Sequence, residues 1–288
     1  MVSLEEHYTR LSYAAKFLSW LAYRTLESTA QNSDDNALKR IGKMREEISA
    51  KRPTRSKGSQ HGKGLREEEE ARVLAVSASS SPDNPFLNTP VRHRNELVIQ
   101  LLRLGIRAGE LLGLKVENFD WRTMTMTVEP RPHDTTDPRA NPPRVKTLGR
   151  MLPISAELSE MVRCYVIEFR NKEPKARKHG FLIVTHSKKY GGAPLSEAAL
   201  RKLIGIISKT VCDDERRISA HDFRHSANYH FSQEMDRRGV SENREEKLRS
   251  YYFGWKEGSG TAATYNRRHI EREARKAGLA LQKIGKVK

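Results

Sequence analysis

Residues 51–64 read Lys-Arg-Pro-Thr-Arg-Ser-Lys-Gly-Ser-Gln-His-Gly-Lys-Gly, without a single Val, Ile, Leu, Met or Phe. A stretch with nothing to bury, rich in Pro, Gly, Ser and charge, is a linker, and no packed core can run through it. It therefore divides the chain into a short first part, residues 1–50, and a long second part, residues 65–288. Fifty residues stand near the lower limit for independent folding, so the first part is expected to need a ligand or neighbour for stability. Of 288 residues, 36% are hydrophobic, enough for one or two packed domains. Cys164 and Cys212 are the only cysteines, too few for a disulfide scaffold, so a reducing compartment is expected. No apolar run approaches the roughly 18 residues of a spanning helix, and the N-terminus has no signal-peptide core. A soluble protein follows as the expectation.

The chain carries 53 Lys and Arg against 36 Asp and Glu, a net charge of +17. That balance selects polyanionic partners: nucleic acid first, then an acidic protein or a membrane surface. The surplus is localised. Lys39, Arg40, Lys43, Arg45, Lys51, Arg52, Arg55, Lys57, Lys63 and Arg66 are opposed by only Glu46 and Glu47, and a second excess lies between Arg267 and Lys288. Each run taken alone is as readily a solvated face or floppy tail as a grip on a polyanion, and together the two suggest a pair of clamps.

Leu11, Ala14, Ala15, Leu18 and Leu21 fall at helical spacing and predict an amphipathic helix, and a second helix is expected at 36–48, with acids near its start and bases toward its end. Further helices are expected at 65–76, 92–104, 156–170, 196–209, 220–233 and 244–252. Thr123-Met124-Thr125-Met126-Thr127-Val128 alternates with period two and predicts a strand. A second strand at 145–153 returns after the Pro-rich segment 129–143, giving a hairpin with a long tip, and a short strand is expected at 181–185. The expected fold class is mainly α with a small antiparallel sheet, and a parallel dinucleotide-binding sheet is not expected.

Four places bear chemistry. Arg107 lies inside the apolar pattern Gly105-Ile106-Arg107-Ala108-Gly109-Glu110-Leu111-Leu112-Gly113-Leu114, where a buried guanidinium needs a partner, and Glu110 is one turn away. In Ala220-His221-Asp222-Phe223-Arg224-His225, His221 shares a helix face with Arg224 and with His225. The two His at i, i+4 raise a metal site, but the Glu of a zinc-protease helix is missing and no third ligand stands out. His221 with Arg224 makes the better anion clamp, a planar fork beside a donor that also exchanges protons. Lys146 on the hairpin is either a substrate-reaching cation or a solubilising edge residue. Tyr265 follows the Gly/Ser-rich segment 254–264 and precedes a basic helix; alone, it reads as a packing residue.

Taken in order, Arg, hairpin Lys, His-x-x-Arg, then Trp255 ten residues before Tyr265, the chain resembles the tyrosine recombinase (phage integrase) family. The first block matches Gly-Leu-Arg-x-x-Glu-Leu-x-x-Leu almost position for position. Lys146-Thr147-Leu148-Gly149-Arg150-Met151-Leu152-Pro153 follows that family's Lys-Thr-x-x-x-Arg-x-x-Pro with one residue fewer before the Arg. The resemblance covers about residue 65 to the C-terminus, and 17–21 is similar to a helix of the family's core-binding domain. Trp255 stands where most members have His, and the interval from Arg224 to Tyr265 is longer than usual, placing an insertion near 235–247.

The resemblance implies a short helical core-binding DNA domain at 1–50, a basic linker at 51–64 and a catalytic domain at 65–288. It implies a site-specific recombinase that cleaves and rejoins DNA through a 3′-phosphotyrosine. Arg107, Lys146, His221, Arg224 and Trp255 would be catalytic, Tyr265 the nucleophile, and Glu110 the residue that positions Arg107. Neither metal nor other cofactor is implied. Lys39, Arg40, Lys43, Lys51, Arg52, Arg55, Lys57 and Lys63 would grip DNA phosphates. The partners would be double-stranded DNA and further copies of the chain, as a tetramer joined through the C-terminal helix, whose apolar stripe is Ile270, Ala274, Ala277, Leu281 and Ile284; no membrane is involved. The place of action would be the cytoplasm of a bacterial, phage or mobile-element host, at the nucleoid. Alternatives are a type IB topoisomerase-like nicking-closing enzyme and an inactive DNA-binding accessory protein.

Overall fold

A computed structural model describes residues 4–29, 35–53, 64–131, 134–143, 145, 148–213, 216–256, 260, 273–274 and 277. The chain forms two compact units, Met1–His61 and Gly62–Lys288.

In the first unit, α1 (Leu4–Thr29) packs on α2 (Asp35–Ala50). The seam is narrower than the predicted apolar stripe. Ala15, Ser19 and Ile41 are buried, with the Ser19 hydroxyl donating to the Ala15 carbonyl at 2.7 Å, whereas Leu18 and Leu21 are exposed. Two helices can enclose only a strip, and small residues let them approach closely. The last turn of α2 carries no basic residue, contrary to the expected charge order: the helix runs on past Arg45 and ends in Glu47-Ile48-Ser49-Ala50.

The second unit surrounds a three-stranded antiparallel sheet with helices. Among the described residues its α-helices and strands are α3 (Glu67–Ser77), α4 (Thr89–Arg103), α5 (Ala108–Gly113), β1 (Phe119–Asp120), β2 (Thr125–Val128), β3 (Arg150–Pro153), α6 (Ala156–Glu168), α7 (Glu197–Val211), α8 (Ala220–Arg237) and α9 (Glu242–Phe253). Helix starts follow local chemistry: Asn88, Ser155 and Ser196 side chains accept the amides of Val91, Leu158 and Ala199. Helix α4 buries Leu97, Val98, Leu101 and Leu102 and packs against α3, α6 and α8.

Strand order is β1-β2-β3, with Phe119 opposite Met126, Met126 opposite Leu152, and Val128 opposite Arg150. The middle strand starts two residues later than the alternation predicts. Met124 has φ +48°, and Asp120 accepts the amides of Arg122 and Thr123, so 121–124 is a turn joining β2 to the unforeseen β1. Of the expected returning strand 145–153, Arg150–Pro153 forms β3, residues 145, 148 and 149 are not in a strand, and 146 and 147 lie outside the described residues. The expected strand at 181–185 is absent. Two isolated bridges replace it, Lys115 with Phe181 and Val184 with Pro194, and Pro194 has no N–H with which to extend a ladder.

Part of the long hairpin tip is fastened to the end of α5. Arg139 donates to the carbonyls of Leu112 (3.1 Å) and Leu195 (2.9 Å), and Arg131 donates to that of Gly113 (3.0 Å). Cations thus satisfy the orphan acceptors of a short helix and hold its far end steady. The other end of α5 carries Arg107.

Candidate active site

Arg107 is the residue before α5, and Glu110 lies in its first turn. Because the first amides of a helix lack partners, the Glu110 carboxylate folds back to accept the Arg107 N–H at 2.8 Å. This fixes the Arg107 backbone and turns its side chain, 37% exposed, into a pocket of about 420 Å³. His221 and Arg224, from the first turns of α8, line the same pocket with Ala220, Gly109 and Leu200.

Arg224 is 1% exposed. Its two terminal nitrogens donate to the carbonyls of Gly105 (2.6 Å) and Phe253 (2.8 Å), and its guanidinium carbon lies 5.1 Å and 5.2 Å from the ring centres of Phe253 and Trp255. One planar cation therefore ties the segment before Arg107 to the segment before Trp255. Gly105 makes this approach possible. Its φ is +77°, and a Cβ there would fall 2.5 Å from a Phe253 ring carbon and 2.9 Å from the Ala227 Cβ. Trp255 stacks on Phe253 at 5.4 Å and is 6% exposed.

His221 is exposed, and its ring meets buried His225 edge to face at 4.4 Å. Among the described residues no three His, Cys, Asp or Glu side chains group as metal ligands. Asp222 faces other tasks: it accepts the Ser219 amide and hydroxyl and pairs with Arg216.

The structure thus brings Arg107, His221 and Arg224 to one pocket and Trp255 to the back of Arg224. Lys146 and Tyr265 lie outside the described residues, as do Arg55, Lys57, Lys63, Ile270, Leu281 and Ile284. On the first unit, Lys39, Arg40, Lys43 and Lys51 are exposed, while Arg52 lies over the Tyr8 ring at 5.5 Å. Ala274 and Ala277 are helical and exposed.

Glu110 does more than the sequence reading assigns to it. It meets the Arg107 guanidinium only at 3.6 Å, and its close partner is Arg150, at 3.1 Å and 2.9 Å in a two-pronged pair, with the Arg150 side chain 1% and that of Glu110 0% exposed. Arg150 also donates to the Tyr252 carbonyl at 2.7 Å. Sequence reasoning gave Arg150 no role, although a signal was present: it shares a strand face with Leu152, two residues on, so a cation on the inward face of a strand needed a buried acid.

Comparison with known proteins agrees with this picture. The family model described as Phage integrase family matches residues 64–271. The chain belongs to the phage integrase, or tyrosine recombinase, family. A curated relative named as an integrase/recombinase, y4gC of Sinorhizobium fredii (strain NBRC 101917 / NGR234), is 38% identical over 61 residues, which is 21% of this chain and 30% of that protein's length. Two solved structures share the fold. XerH site-specific recombinase bound to palindromic difH substrate, a post-cleavage complex, is 19% identical with a TM-score of 0.54, covering 91% of this chain and 71% of that one. The Tn1549 transposon integrase in complex with transposon right end DNA is 15% identical with a TM-score of 0.51, covering 90% and 85%. Among the described residues no helix is long and apolar enough to cross a membrane.

Proposed function

We propose that this chain is a site-specific DNA recombinase that cuts and rejoins strands through a 3′-phosphotyrosine on Tyr265. The observation that carries the reading is the convergence of Arg107, His221 and Arg224 on one pocket in a chain of this family. A phosphodiester repels nucleophiles, and a Tyr hydroxyl with a pKa near about 10 is mostly protonated at neutral pH. Arg107 and the pocket-facing edge of Arg224 neutralise charge developing on the non-bridging oxygens. Trp255 supplies only an N–H, suited to an oxygen acceptor. His221 takes the Tyr265 proton and Lys146 gives one to the departing 5′ oxygen. The Tyr265 oxygen forms the bond to phosphorus as the 5′ oxygen leaves, and reversal by another 5′ hydroxyl rejoins DNA without ATP.

Residues 1–50 act as a DNA-gripping module, 51–64 as a basic strap along the phosphates, and 65–288 as the catalytic body, with binding that weakens steeply with salt. Copies assemble on paired sites as a tetramer through the C-terminal helix. The XerH and Tn1549 structures are complexes with difH substrate and with transposon end DNA, which supports DNA as the partner.

The test is incubation with a nicked suicide duplex in EDTA. A covalent protein–DNA adduct that disappears in Tyr265→Phe supports the reading. EDTA-sensitive cleavage, or an adduct that persists in Tyr265→Phe, overturns it.

A further inference from the structure

We infer that Arg150 is a positioning residue: its two-pronged hold on Glu110 neutralises that carboxylate within the core, so that Glu110 does not draw the Arg107 guanidinium away from the position in which it meets a phosphate oxygen. The inference rests on the phosphodiester reading above and concerns a residue outside its catalytic set.

Every guanidinium nitrogen of Arg150 is engaged inside the protein, two by Glu110 and one by the Tyr252 carbonyl, and the side chain is 1% exposed. It is therefore not a phosphate ligand. Glu110, at 0% exposure, is a carboxylate whose charge must be met by a cation. Among the described residues, Arg150 stands 2.9 Å and Arg107 3.6 Å from it. An acid held only by Arg107 would draw that guanidinium inward and cancel the charge a phosphate needs. Because Arg150 donates to both oxygens, the carboxylate keeps its capping bond to the Arg107 amide while its charge is balanced from the opposite side.

The same side chain fastens three segments. Arg150 belongs to β3, the returning arm of the hairpin; Glu110 belongs to α5; Tyr252 lies at the end of α9, three residues before Trp255. Next to this bond the Leu148 amide donates to the Gly254 carbonyl at 3.2 Å. Gly254 has φ +66°, and a Cβ there would lie 2.6 Å from an Arg150 terminal nitrogen, so the backbone is shaped around the guanidinium.

A structural staple and a charge-balancing device predict different outcomes for a pair of substitutions. Removing both ends of a staple is at least as harmful as removing one. If Arg150 acts by balancing Glu110, then Glu110→Gln removes the charge that needed balancing and rescues Arg150→Gln. The full chain is compared as wild type, Arg150→Gln, Glu110→Gln and the double variant, with folding checked by near-ultraviolet circular dichroism. Single-turnover adduct formation on saturating suicide duplex should slow on the order of 10²-fold in Arg150→Gln and return to within about tenfold of Glu110→Gln in the double variant. Titration with inorganic phosphate, followed through the ¹⁵N guanidinium signals of Arg107, reads the same site without catalysis. Affinity should fall on the order of tenfold in Arg150→Gln and recover in the double variant.

If Arg150→Gln does not fold, a folded double variant with phosphate affinity equal to that of Glu110→Gln supports the inference. Additive losses in the double variant, or unchanged phosphate affinity in Arg150→Gln, overturn it. A wild-type chain that forms no adduct yet shows the phosphate pattern refutes the phosphotyrosine reading while upholding the role of Arg150. An active wild type with additive losses does the reverse.

Discussion

Arg224→Lys is the substitution whose effect follows most directly from the geometry. The guanidinium uses two separate nitrogens for the Gly105 and Phe253 carbonyls, at 2.6 Å and 2.8 Å, and lies against two aromatic rings. An ammonium keeps the charge but presents one nitrogen, so one of the two carbonyls loses its charged donor. A hydrogen bond to a charged group contributes about 1.5–3 kcal/mol, and the lost stacking of a desolvated cation adds up to about 1 kcal/mol. The expected destabilisation is about 2–4 kcal/mol, a fall in melting temperature of roughly 5–15 °C for a unit of this size. Urea unfolding followed by tryptophan emission measures it, since Trp255 lies against the substituted group. Adduct formation should fall in parallel by on the order of 10²–10³-fold. A variant within about 0.5 kcal/mol of wild type, with native near-ultraviolet circular dichroism, would refute the argument that Arg224 joins the two segments.

Gly105→Ala should cost about 2–4 kcal/mol, combining a left-handed backbone with a Cβ 2.5 Å from the Phe253 ring; denaturant unfolding reads it, and a neutral result contradicts the packing. His230 on α8 bonds Glu70 at 2.9 Å, and Glu70 also accepts Arg103 at 3.1 Å, linking α3, α4 and α8. The Glu70 bond raises the His230 pKa above its ordinary value, so its stabilisation is complete below about pH 6.5 and is lost as pH rises through the raised value. With His230 half-exposed the effect is at most about 1 kcal/mol, and His230→Asn should remove that loss in melting curves taken between pH 6 and 8.5. Replacing exposed Lys39, Arg40 and Lys43 of α2 with Gln should reduce the log–log salt slope of DNA binding by up to about 0.9 per lost phosphate contact. Anisotropy titrations across salt concentrations measure the slope, and an unchanged value removes α2 from the DNA interface.

How far the sequence was legible depends on the range of the interaction. Helices α4, α6 and α7 announce themselves because apolar residues recur at one-turn spacing, and the β2–β3 hairpin because side chains alternate. Strand β1 is two residues long and exists only through its pairing with β2. Helix α8 buries polar residues, Arg224, His225, Ser226, Asn228 and Ser232, so its inward face carries little apolar periodicity, and its length was underestimated by one turn. Arg107 and Arg224 were found through the order of motifs. The bonds that hold them were not, since Glu110 meets Arg150 forty residues away and Arg224 meets the Phe253 carbonyl twenty-nine residues away. Such partnerships are set by the packing of α5, β3, α8 and α9, which no local pattern encodes.

The central claim is that Tyr265 becomes covalently joined to a DNA 3′ phosphate. The most direct measurement is mass spectrometry of the peptide that carries DNA after the full chain has reacted with a suicide duplex in EDTA and been digested with protease and nuclease. One modified peptide is expected, with the nucleotide on the Tyr265 phenol oxygen. A nucleotide on any other side chain, or cleaved DNA with no modified peptide, would contradict it.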